Sequence, residues 1–314
     1  MKINQQAHWS EYWKQGYITS LPQDFSINYN GKIADFWRKQ FKSINMNDSI
    51  LDICTGNGAI ALLCQGFLTN ENIKAKVYGI DLAENFQKSV INNFPEQKTN
   101  SNKITFINNT PVENLPFEDG QFNIVTSQFG FEYCDWSKGA AEVARVLQAG
   151  GRFALITHNP ESSIIATMSQ ERNEHEFIES LDFDSLFNEY YENKFAYTSF
   201  RRKIKKINKS ILSYQEIKKS MLLENFLNML SSIMASTEKH LITYKEQIFN
   251  FIKQNKQAYS RLLDLIDANN ALTNLEQFVG VLEYAGLGCT KSGTIELADD
   301  IKVGNYYIFI KQHD

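Results

Sequence analysis

Short apolar runs alternate with amphipathic stretches between residues 49 and 158. The apolar runs predict five buried strands: SILDIC, KVYGID, KITFIN, FNIVTSQFG and RFALITH. Helical spacing predicts three helices among them: GAIALLCQGF, AENFQKSVINNF and KGAAEVARVLQ, the last ended by Gly150-Gly151. Alternation of this kind is typical of a parallel sheet with right-handed crossovers.

The flanking regions have a different pattern. Residues 1–48 predict two helices: the first is crowded with Trp9, Tyr12, Trp13 and Tyr17, and the second carries Ile33, Phe36, Trp37 and Phe41 at helical offsets. Residues 160–270 predict several helices, with a stripe of Leu222, Phe226, Met229, Leu230 and Ile233. The chain then returns to one helix and two strands: NLEQFVGVLEYAGL, CTKSGTIEL and NYYIFIKQ.

These elements predict an α/β fold: a doubly wound, seven-stranded, mostly parallel sheet with a helical insertion between strands five and six. We expect three regions. Residues 1–48 form an N-terminal helical cap, residues 49–159 and 271–314 form the core, and residues 160–270 form a lid that selects a substrate. The apolar stripe of the insertion could be core packing, an acceptor pocket or the seam of a homodimer.

Composition excludes several classes of protein. The 314 residues are 43% apolar and 22% charged, which excludes wholesale disorder, and the net charge of −4 disfavours nucleic-acid binding by the whole surface. No apolar run approaches the ~20 residues that a membrane helix needs, and no export signal is evident. The four cysteines are scattered without metal-ligand spacing. We therefore expect a cytoplasmic protein without membrane insertion and without a metal site.

The most informative segment is a glycine turn after the first strand. Asp52 lies in the strand just before the turn, Gly56 and Gly58 form the turn, and a helix follows. Because glycine lacks a Cβ atom, a ligand can lie against the backbone there. The dinucleotide fingerprint is incomplete, since Ala61 occupies its third glycine position, and no P-loop lysine is present.

A second signal follows the next strand. Asp81 ends KVYGID, where an acidic residue can accept hydrogen bonds from ribose hydroxyls. A glycine turn and such an acid, in this order, indicate a nucleoside-like cofactor.

The chain resembles class I S-adenosylmethionine-dependent methyltransferases, most closely the ubiquinone/menaquinone-biosynthesis (methyltransferase type 11) group. Successive family motifs carry the likeness: LDICTGNGAIAL, GIDLAENF, VENLPFEDGQFNIVTSQFGFEY and EVARVLQAGGRFAL. It covers about residues 48–158 plus the final helix and two strands. It implies the Rossmann-like fold of that family, with the last strand antiparallel, and S-adenosyl-L-methionine as cofactor.

The resemblance also implies roles for individual residues. Asp52 and the turn Thr55, Gly56 and Gly58 would hold the methionine moiety, and Asp81 the ribose hydroxyls. Leu82 would pack on the adenine. Ser127 and Gln128 would lie below the sulfonium.

Three features depart from the family. Cys54 stands where the family has its first glycine. Pro111 replaces the Asp that commonly faces the adenine amine, so Asn109 or Thr110 would have to substitute. The helical insertion is the third.

Methyl transfer is an in-line displacement that needs a base only when the acceptor must lose a proton. His158, after the fifth strand, is the best candidate, because imidazole titrates near neutrality; Glu132 and Tyr133 are rivals. A capping or packing role for His158 stays open. The segment Gln128-Phe129-Gly130-Phe131 lacks the Pro-Pro element of amino-directed nucleic-acid methyltransferases, which disfavours adenine methylation.

We therefore expect methyl transfer to a small-molecule acceptor. The N-terminal aromatics are expected mainly to pack, with one or two reaching the pocket. The insertion carries an acidic stretch and a basic one over residues 201–209, for which a solvated, partly self-neutralised surface is the favoured interpretation. Two alternatives remain: an RNA or protein methyltransferase that docks its substrate on the basic run, and a non-catalytic cofactor-binding scaffold. A dehydrogenase is weaker, because the third glycine is absent.

Overall fold

The predicted strands pair into one seven-stranded sheet in the computed structural model, which describes residues 2–21, 24–84, 87–217, 220–296 and 301–312. The strands are β1 Ser49–Ile53, β2 Lys76–Ile80, β3 Ile104–Ile107, β4 Phe122–Gln128, β5 Leu147–His158, β6 Leu287–Glu296 and β7 Lys302–Lys311. Their order is β3-β2-β1-β4-β5-β7-β6. Strands β1 to β5 are parallel, and β7 lies antiparallel between β5 and β6. The predicted fold class is confirmed.

Thirteen α-helices accompany the sheet within the described residues. They are α1 Lys2–Trp13, α2 Gly31–Phe41, α3 Ala59–Asn70, α4 Gln87–Asn93, α5 Lys98–Ser101, α6 Trp136–Val146, α7 Ser163–Ser180, α8 Phe183–Tyr191, α9 Tyr197–Ile217, α10 Met221–Ala235, α11 Glu238–Thr243, α12 Lys245–Leu272 and α13 Leu275–Tyr284. Both predicted N-terminal helices are present, although Tyr17 lies beyond the end of α1.

The sheet is covered by apolar side chains on both faces. Ile50 of β1 belongs to a cluster with Trp37 of α2, whereas the adjacent Leu51 belongs to a second cluster with Val143 of α6 and Phe278 of α13. Successive strand residues point to opposite faces, so a strand buried on both sides is apolar almost throughout. This double burial explains the continuous apolar runs of the sequence. The strand order reverses between β1 and β4, and ligands bind beside such a point in this class of fold.

One predicted boundary is wrong. Helix α6 ends at Val146, and β5 begins at the next residue, so Gly150-Gly151 lies inside the strand and does not end a helix. Phe122 pairs with Leu147 but Ile124 pairs with Arg152, which leaves extra residues on β5. Gly150 has φ 73°, the left-handed conformation that such a bulge places on glycine. The two glycines thus belong to a β-bulge.

The chain divides into two compact units: residues 1–165 with 264–314, and residues 166–263. The second unit has its own apolar core, which includes Phe187, Phe200 and Leu230. On α10 the predicted helical stripe is confirmed: Phe226, Leu230 and Ile233 are buried in this core.

The basic run lies on α9, and all of its cations are exposed: Arg201, Arg202, Lys203, Lys205, Lys206 and Lys209. Lys203 lies over the ring of Phe195, at 4.1 Å from its centroid. None of the six forms an ion pair with a carboxylate of the described residues. The expected solvated surface is present, whereas the expected partial self-neutralisation is not found in this part of the chain.

Within the residues that the structure describes, no helix is long and apolar enough to cross a membrane. The four cysteines form no disulfide within the described residues. The same residues contain no group of His, Cys, Asp and Glu side chains that could hold a metal ion.

Candidate functional site

The glycine turn joins β1 to α3 through three left-handed positions at alternate residues. Cys54, Gly56 and Gly58 have φ values of 53°, 54° and 92°. The backbone N–H of Thr55 donates to the carbonyl of Ile80, and that of Gly58 donates to the carbonyl of Thr55. A left-handed conformation costs a residue with a Cβ atom about 1–2 kcal/mol. Cys54 therefore adopts the glycine conformation, and the turn keeps its shape despite the substitution.

Asp52 supports this turn from below. Its side chain is 2% exposed and accepts hydrogen bonds from Thr55 Oγ1 at 2.5 Å, Thr126 Oγ1 at 2.9 Å and the N–H of Ala61 at 3.3 Å. Burial raises the pKa of Asp52 to about 7, although these hydrogen bonds oppose the change. The carboxyl thus connects β1, β4 and the first turn of α3. This bracing role was not part of the expectation from the sequence.

Asp81 follows β2 and lies beside the glycine turn. Its Oδ2 accepts a hydrogen bond from the N–H of Gly56 at 2.7 Å, and its Oδ1 accepts one from the N–H of Ala83 at 2.8 Å. Burial raises the pKa of Asp81 to about 6. Each carboxylate oxygen has two lone pairs, so both keep a site for a ligand hydroxyl. Leu82, next in the chain, is half-buried.

The end of β3 contributes residues to the same edge. Phe106 packs against the turn, because a Cβ atom added to Gly58 would lie 2.7 Å from its ring. Asn109 has φ 54°, and the N–H of Thr110 donates to the carbonyl of Asp81 at 2.9 Å. The structure therefore brings Asn109 and Thr110 beside Asp81. The contact of Phe106 with the turn could not be recognised from the sequence pattern.

Three buried polar atoms near the end of β4 have no hydrogen-bond partner among the described residues: Ser127 Oγ, Gln128 Nε2 and Glu132 Oε2. The other amide atom of Gln128, Oε1, accepts a hydrogen bond from Trp37 Nε1 at 2.5 Å. Buried polar groups are nearly always paired, so unpaired atoms at one edge of the sheet indicate a place for a polar ligand.

His158 and Glu132 form a pair across the ends of β5 and β4. Glu132 Oε1 lies 2.7 Å from His158 Nδ1 and accepts the backbone N–H of His158 at 2.9 Å. The Glu132 side chain is fully buried, and that of His158 is 16% exposed. The imidazole also contacts the rings of Phe129 and Tyr133, at centroid distances of 4.7 and 6.0 Å. Burial and the nearby Glu132 carboxylate hold the pKa of the Tyr133 phenol well above its usual range. Two of the three rival base candidates thus form one unit.

Helix α1 covers the glycine turn. A Cβ atom added to Gly56 would lie 2.4 Å from the indole of Trp13, so the ring lies directly on the glycine. Asn57 Nδ2 donates to the carbonyls of Trp13 and Tyr17, at 2.7 and 2.8 Å. Asn57 is 1% exposed. Trp13 and Tyr17 are therefore held at the turn by Asn57, a role that sequence reasoning missed.

Further contacts hold α1 at this edge. Gln6 Nε2 donates to Asn109 Oδ1 at 2.7 Å, and the N–H of Glu84 donates to Ser10 Oγ at 3.0 Å. Trp9 Nε1 donates to Asp264 Oδ2 at 3.1 Å. The N-terminal helix thus contacts the segments that follow β2 and β3.

Comparison with known proteins agrees with this geometry. The sequence profile described as "methyltransferase domain" matches residues 51–155. Residues 51–155 are therefore similar to a methyltransferase domain. The match begins in β1 and ends within β5, and it includes the glycine turn, Asp81 and Glu132.

Among characterised relatives, a ubiquinone/menaquinone biosynthesis C-methyltransferase of Geobacter sp. (strain M21) is 30% identical over 125 residues, 38% of this chain and 51% of that protein. A demethylmenaquinone methyltransferase of Thermus thermophilus is 30% identical over 128 residues, 40% of this chain and 54% of that protein. The chain spans about half the length of the curated relatives it matches.

Among solved structures, the complex between the Haloferax volcanii Trm112 methyltransferase activator and a methyltransferase contains a similar chain. The TM-score is 0.47 at 13% identity, with 97% of this chain and 98% of that chain covered. The fold itself is established by the strand order described above and does not depend on this likeness.

Proposed function

We propose that the protein transfers a methyl group from S-adenosyl-L-methionine to a small-molecule acceptor. One observation carries the proposal: within the region similar to a methyltransferase domain, the turn Gly56–Gly58 and the carboxylate of Asp81 meet at the carboxyl ends of adjacent strands, joined by a hydrogen bond of 2.7 Å. This is the edge at which the fold class binds nucleotide-like ligands.

The residues present fit that cofactor. The rings of Trp13 and Phe106 lie against the glycine turn, and aromatic faces attract cations such as a sulfonium. The unpaired atoms of Ser127 and Gln128 can accept or donate hydrogen bonds to this cofactor. In the proposal, Asp52 and the turn from Thr55 hold the methionine part.

The remaining contacts follow the same edge of the sheet. Asp81 binds the ribose hydroxyls, Leu82 packs on the adenine, and Asn109 or Thr110 lies near its amine. When bound, the cofactor supplies a methyl group already activated on a sulfonium sulfur. The protein's part is then to align the acceptor and to exclude water, and alignment alone can supply on the order of 7–11 kcal/mol.

In this proposal His158 removes a proton from the acceptor. An ionised Glu132 that accepts a hydrogen bond from Nδ1–H leaves the lone pair of Nε2 free to act as base. The backbone N–H of His158 donates to the same carboxylate oxygen, which fixes the position of the pair. Glu132 is therefore assigned the role of a positioning residue. Tyr133 is assigned a packing role, because its ring contacts the imidazole of His158.

A small molecule is the preferred acceptor because the matched relatives are named for quinone biosynthesis. We assign the cap to residues 1–48 and the choice of acceptor to the helical region 160–270, and we place the protein in the cytoplasm. Docking of RNA or protein on residues 201–209, a homodimer through the helical region and a scaffold role remain the alternatives to test.

The cofactor proposal is tested by calorimetric titration with S-adenosylmethionine and S-adenosylhomocysteine. We expect both to bind with dissociation constants in the micromolar range, about −8 kcal/mol. Asp81→Asn should weaken the binding of both ligands. Asp35→Asn, which changes an exposed carboxylate of α2, should leave the binding of both unchanged. Absence of binding to the wild type would overturn the proposal.

The acceptor class is tested separately with radiolabelled methyl donor. We expect transfer to a hydroquinone such as 1,4-dihydroxynaphthalene, and loss of transfer when His158 is replaced by Ala. Transfer to bulk RNA that falls steeply with salt would favour docking on the basic run instead.

A further inference from the structure

The second unit contains a cleft of its own, between α7, α8, α10 and α12. Its volume is about 250 Å³, just below the range of typical small-molecule sites. The lining is buried and apolar at the floor, formed by Ile178, Phe183, Phe226 and Ile252. All residues that line the cleft belong to residues 166–263.

His175 is the unusual residue of this lining. It is 4% exposed, and its ring stacks on that of Tyr259 at a centroid distance of 4.8 Å and an interplanar angle of 16°. Its ring nitrogens have no hydrogen-bond partner among the described residues, although a neutral imidazole offers one donor and one acceptor. Burial lowers the pKa of His175 to about 4, so the ring is neutral near pH 7. The ring nitrogens are not among the fully buried unpaired atoms of the described residues, and His175 lines the cleft, so they remain accessible to a ligand there.

The charges on the cleft are unbalanced. Lys256 forms an ion pair with Asp184. Glu179 and Asp182 are exposed at the rim, and neither has an ion-pair partner among the described residues. The rim therefore carries two uncompensated negative charges above an apolar floor, with a neutral imidazole in the wall.

We propose that this cleft binds a small organic cation: an ammonium group attached to a flat apolar body. The apolar body fills the floor beside Phe183 and Phe226. The ammonium donates a hydrogen bond to the imidazole of His175 and is attracted by Glu179 and Asp182. The carboxylates of Glu179 and Asp182 by themselves would attract any cation, and the apolar floor of the cleft by itself would accept any apolar group. The imidazole adds the directional contact, and the size of the cleft restricts the ligand to about a dozen non-hydrogen atoms or fewer.

Phenethylamine is the probe, and the full chain is titrated with it by calorimetry. The control ligand is 3-phenylpropanoate, which has a similar phenylalkyl skeleton but carries a negative charge in place of the positive one. We expect phenethylamine to bind with a dissociation constant on the order of 1 mM or tighter, and 3-phenylpropanoate to bind at least about tenfold more weakly.

Two sets of variants locate the binding. His175→Phe keeps the stack on Tyr259 but removes the ring nitrogens, and it should weaken phenethylamine at least about tenfold. The double variant Glu179→Gln, Asp182→Asn should weaken it about tenfold. Asn also tolerates the left-handed backbone of Asp182, which has φ 50°. Glu224 is an exposed acidic residue of α10 outside the cleft. As a control, Glu224→Gln should leave the dissociation constant of phenethylamine within twofold of the wild-type value.

The proposal is overturned if phenethylamine does not bind at 10 mM, if the propanoate binds equally well, or if the double variant binds like the wild type. The two rim acids are exposed, so the double variant tests the site even if His175→Phe unfolds. Binding of S-adenosylhomocysteine should be unchanged in the double variant, which separates this site from the cofactor site.

Discussion

Asp52→Asn is predicted to stabilise the protein in neutral and alkaline solution. Asp52 is almost fully buried, and its pKa is raised to about 7 by that burial. Asn keeps one oxygen to accept from Thr55 and Ala61. Its NH₂ group can donate one N–H to Thr126 Oγ1, whose hydroxyl then turns to the carbonyl of Leu51, 3.5 Å away. The variant therefore loses a buried charge at the smaller cost of one amide N–H without a partner.

The magnitude follows from the pKa difference between the folded and unfolded chain. Unfolded Asp titrates near 3.8, so the folded state holds an extra proton between about pH 4 and pH 7. Stability consequently falls as pH rises through this window, and the full penalty is present above the folded pKa. A shift of about three pKa units corresponds to about 4 kcal/mol. Between pH 5 and pH 8 the stability of the wild type relative to Asp52→Asn should fall by about 3 kcal/mol.

The assay is urea unfolding of both proteins at pH 5 and pH 8, followed by tryptophan fluorescence and far-ultraviolet circular dichroism. The difference between the two free energies of unfolding removes the contributions of the other titrating groups, including Asp81. A difference of equal size at both pH values would refute the reasoning, because it would show that Asp52 ionises normally in the folded chain.

Three further predictions follow from the same region. Gly130→Ala should lower the free energy of unfolding by about 2 kcal/mol or more, because the new Cβ atom would lie 2.3 Å from another side-chain carbon. Gly280→Ala, in open space on α13, should raise it by about 0.5–1 kcal/mol; similar effects of the two changes on thermal unfolding would contradict this. His158→Ala should lower kcat about 100-fold or more, and Glu132→Gln should lower kcat with an unchanged cofactor Kd, whereas full kcat in both over the pH range would remove the proton-transfer role. S-adenosylhomocysteine should change the tryptophan fluorescence, and Trp13→Phe should abolish most of that change; a silent titration of the wild type would argue against contact between Trp13 and the ligand.

Much of the sheet could be predicted from the sequence, because the central strands β1 and β4 are buried on both faces and are therefore rich in apolar residues. The glycine turn at Gly56 and the acidic residue Asp81 could also be predicted from the sequence, since each lies at the end of a predicted strand. The pairing of Glu132 with His158 could not be predicted, because it depends on β4 lying beside β5, and the apolar pattern gives no strand order.

Other features could not be predicted, for a physical reason. The position of Trp13 on Gly56 depends on Asn57, whose amide binds two carbonyls of the N-terminal segment. No periodicity reports such a contact between distant residues. The predicted end of α6 was wrong because a pair of glycines is compatible both with the end of a helix and with a β-bulge. Only the pairing of β5 with β4 distinguishes the two.

The position of β7 has a consequence for the order of folding during synthesis. Strands β1 to β5 are made first and are neighbours in the sheet, so this half can pair as it leaves the ribosome. The outer edge of β5 is completed only by β7, along seven residue pairs from Arg152 to His158, and the whole of residues 166–263 is translated in between. During that interval β5 presents an unpaired, apolar strand edge, the kind of surface that promotes aggregation. Slow translation of the helical region would prolong this exposure, and a chaperone that binds β5 would be needed most before residues 302–311 have been made.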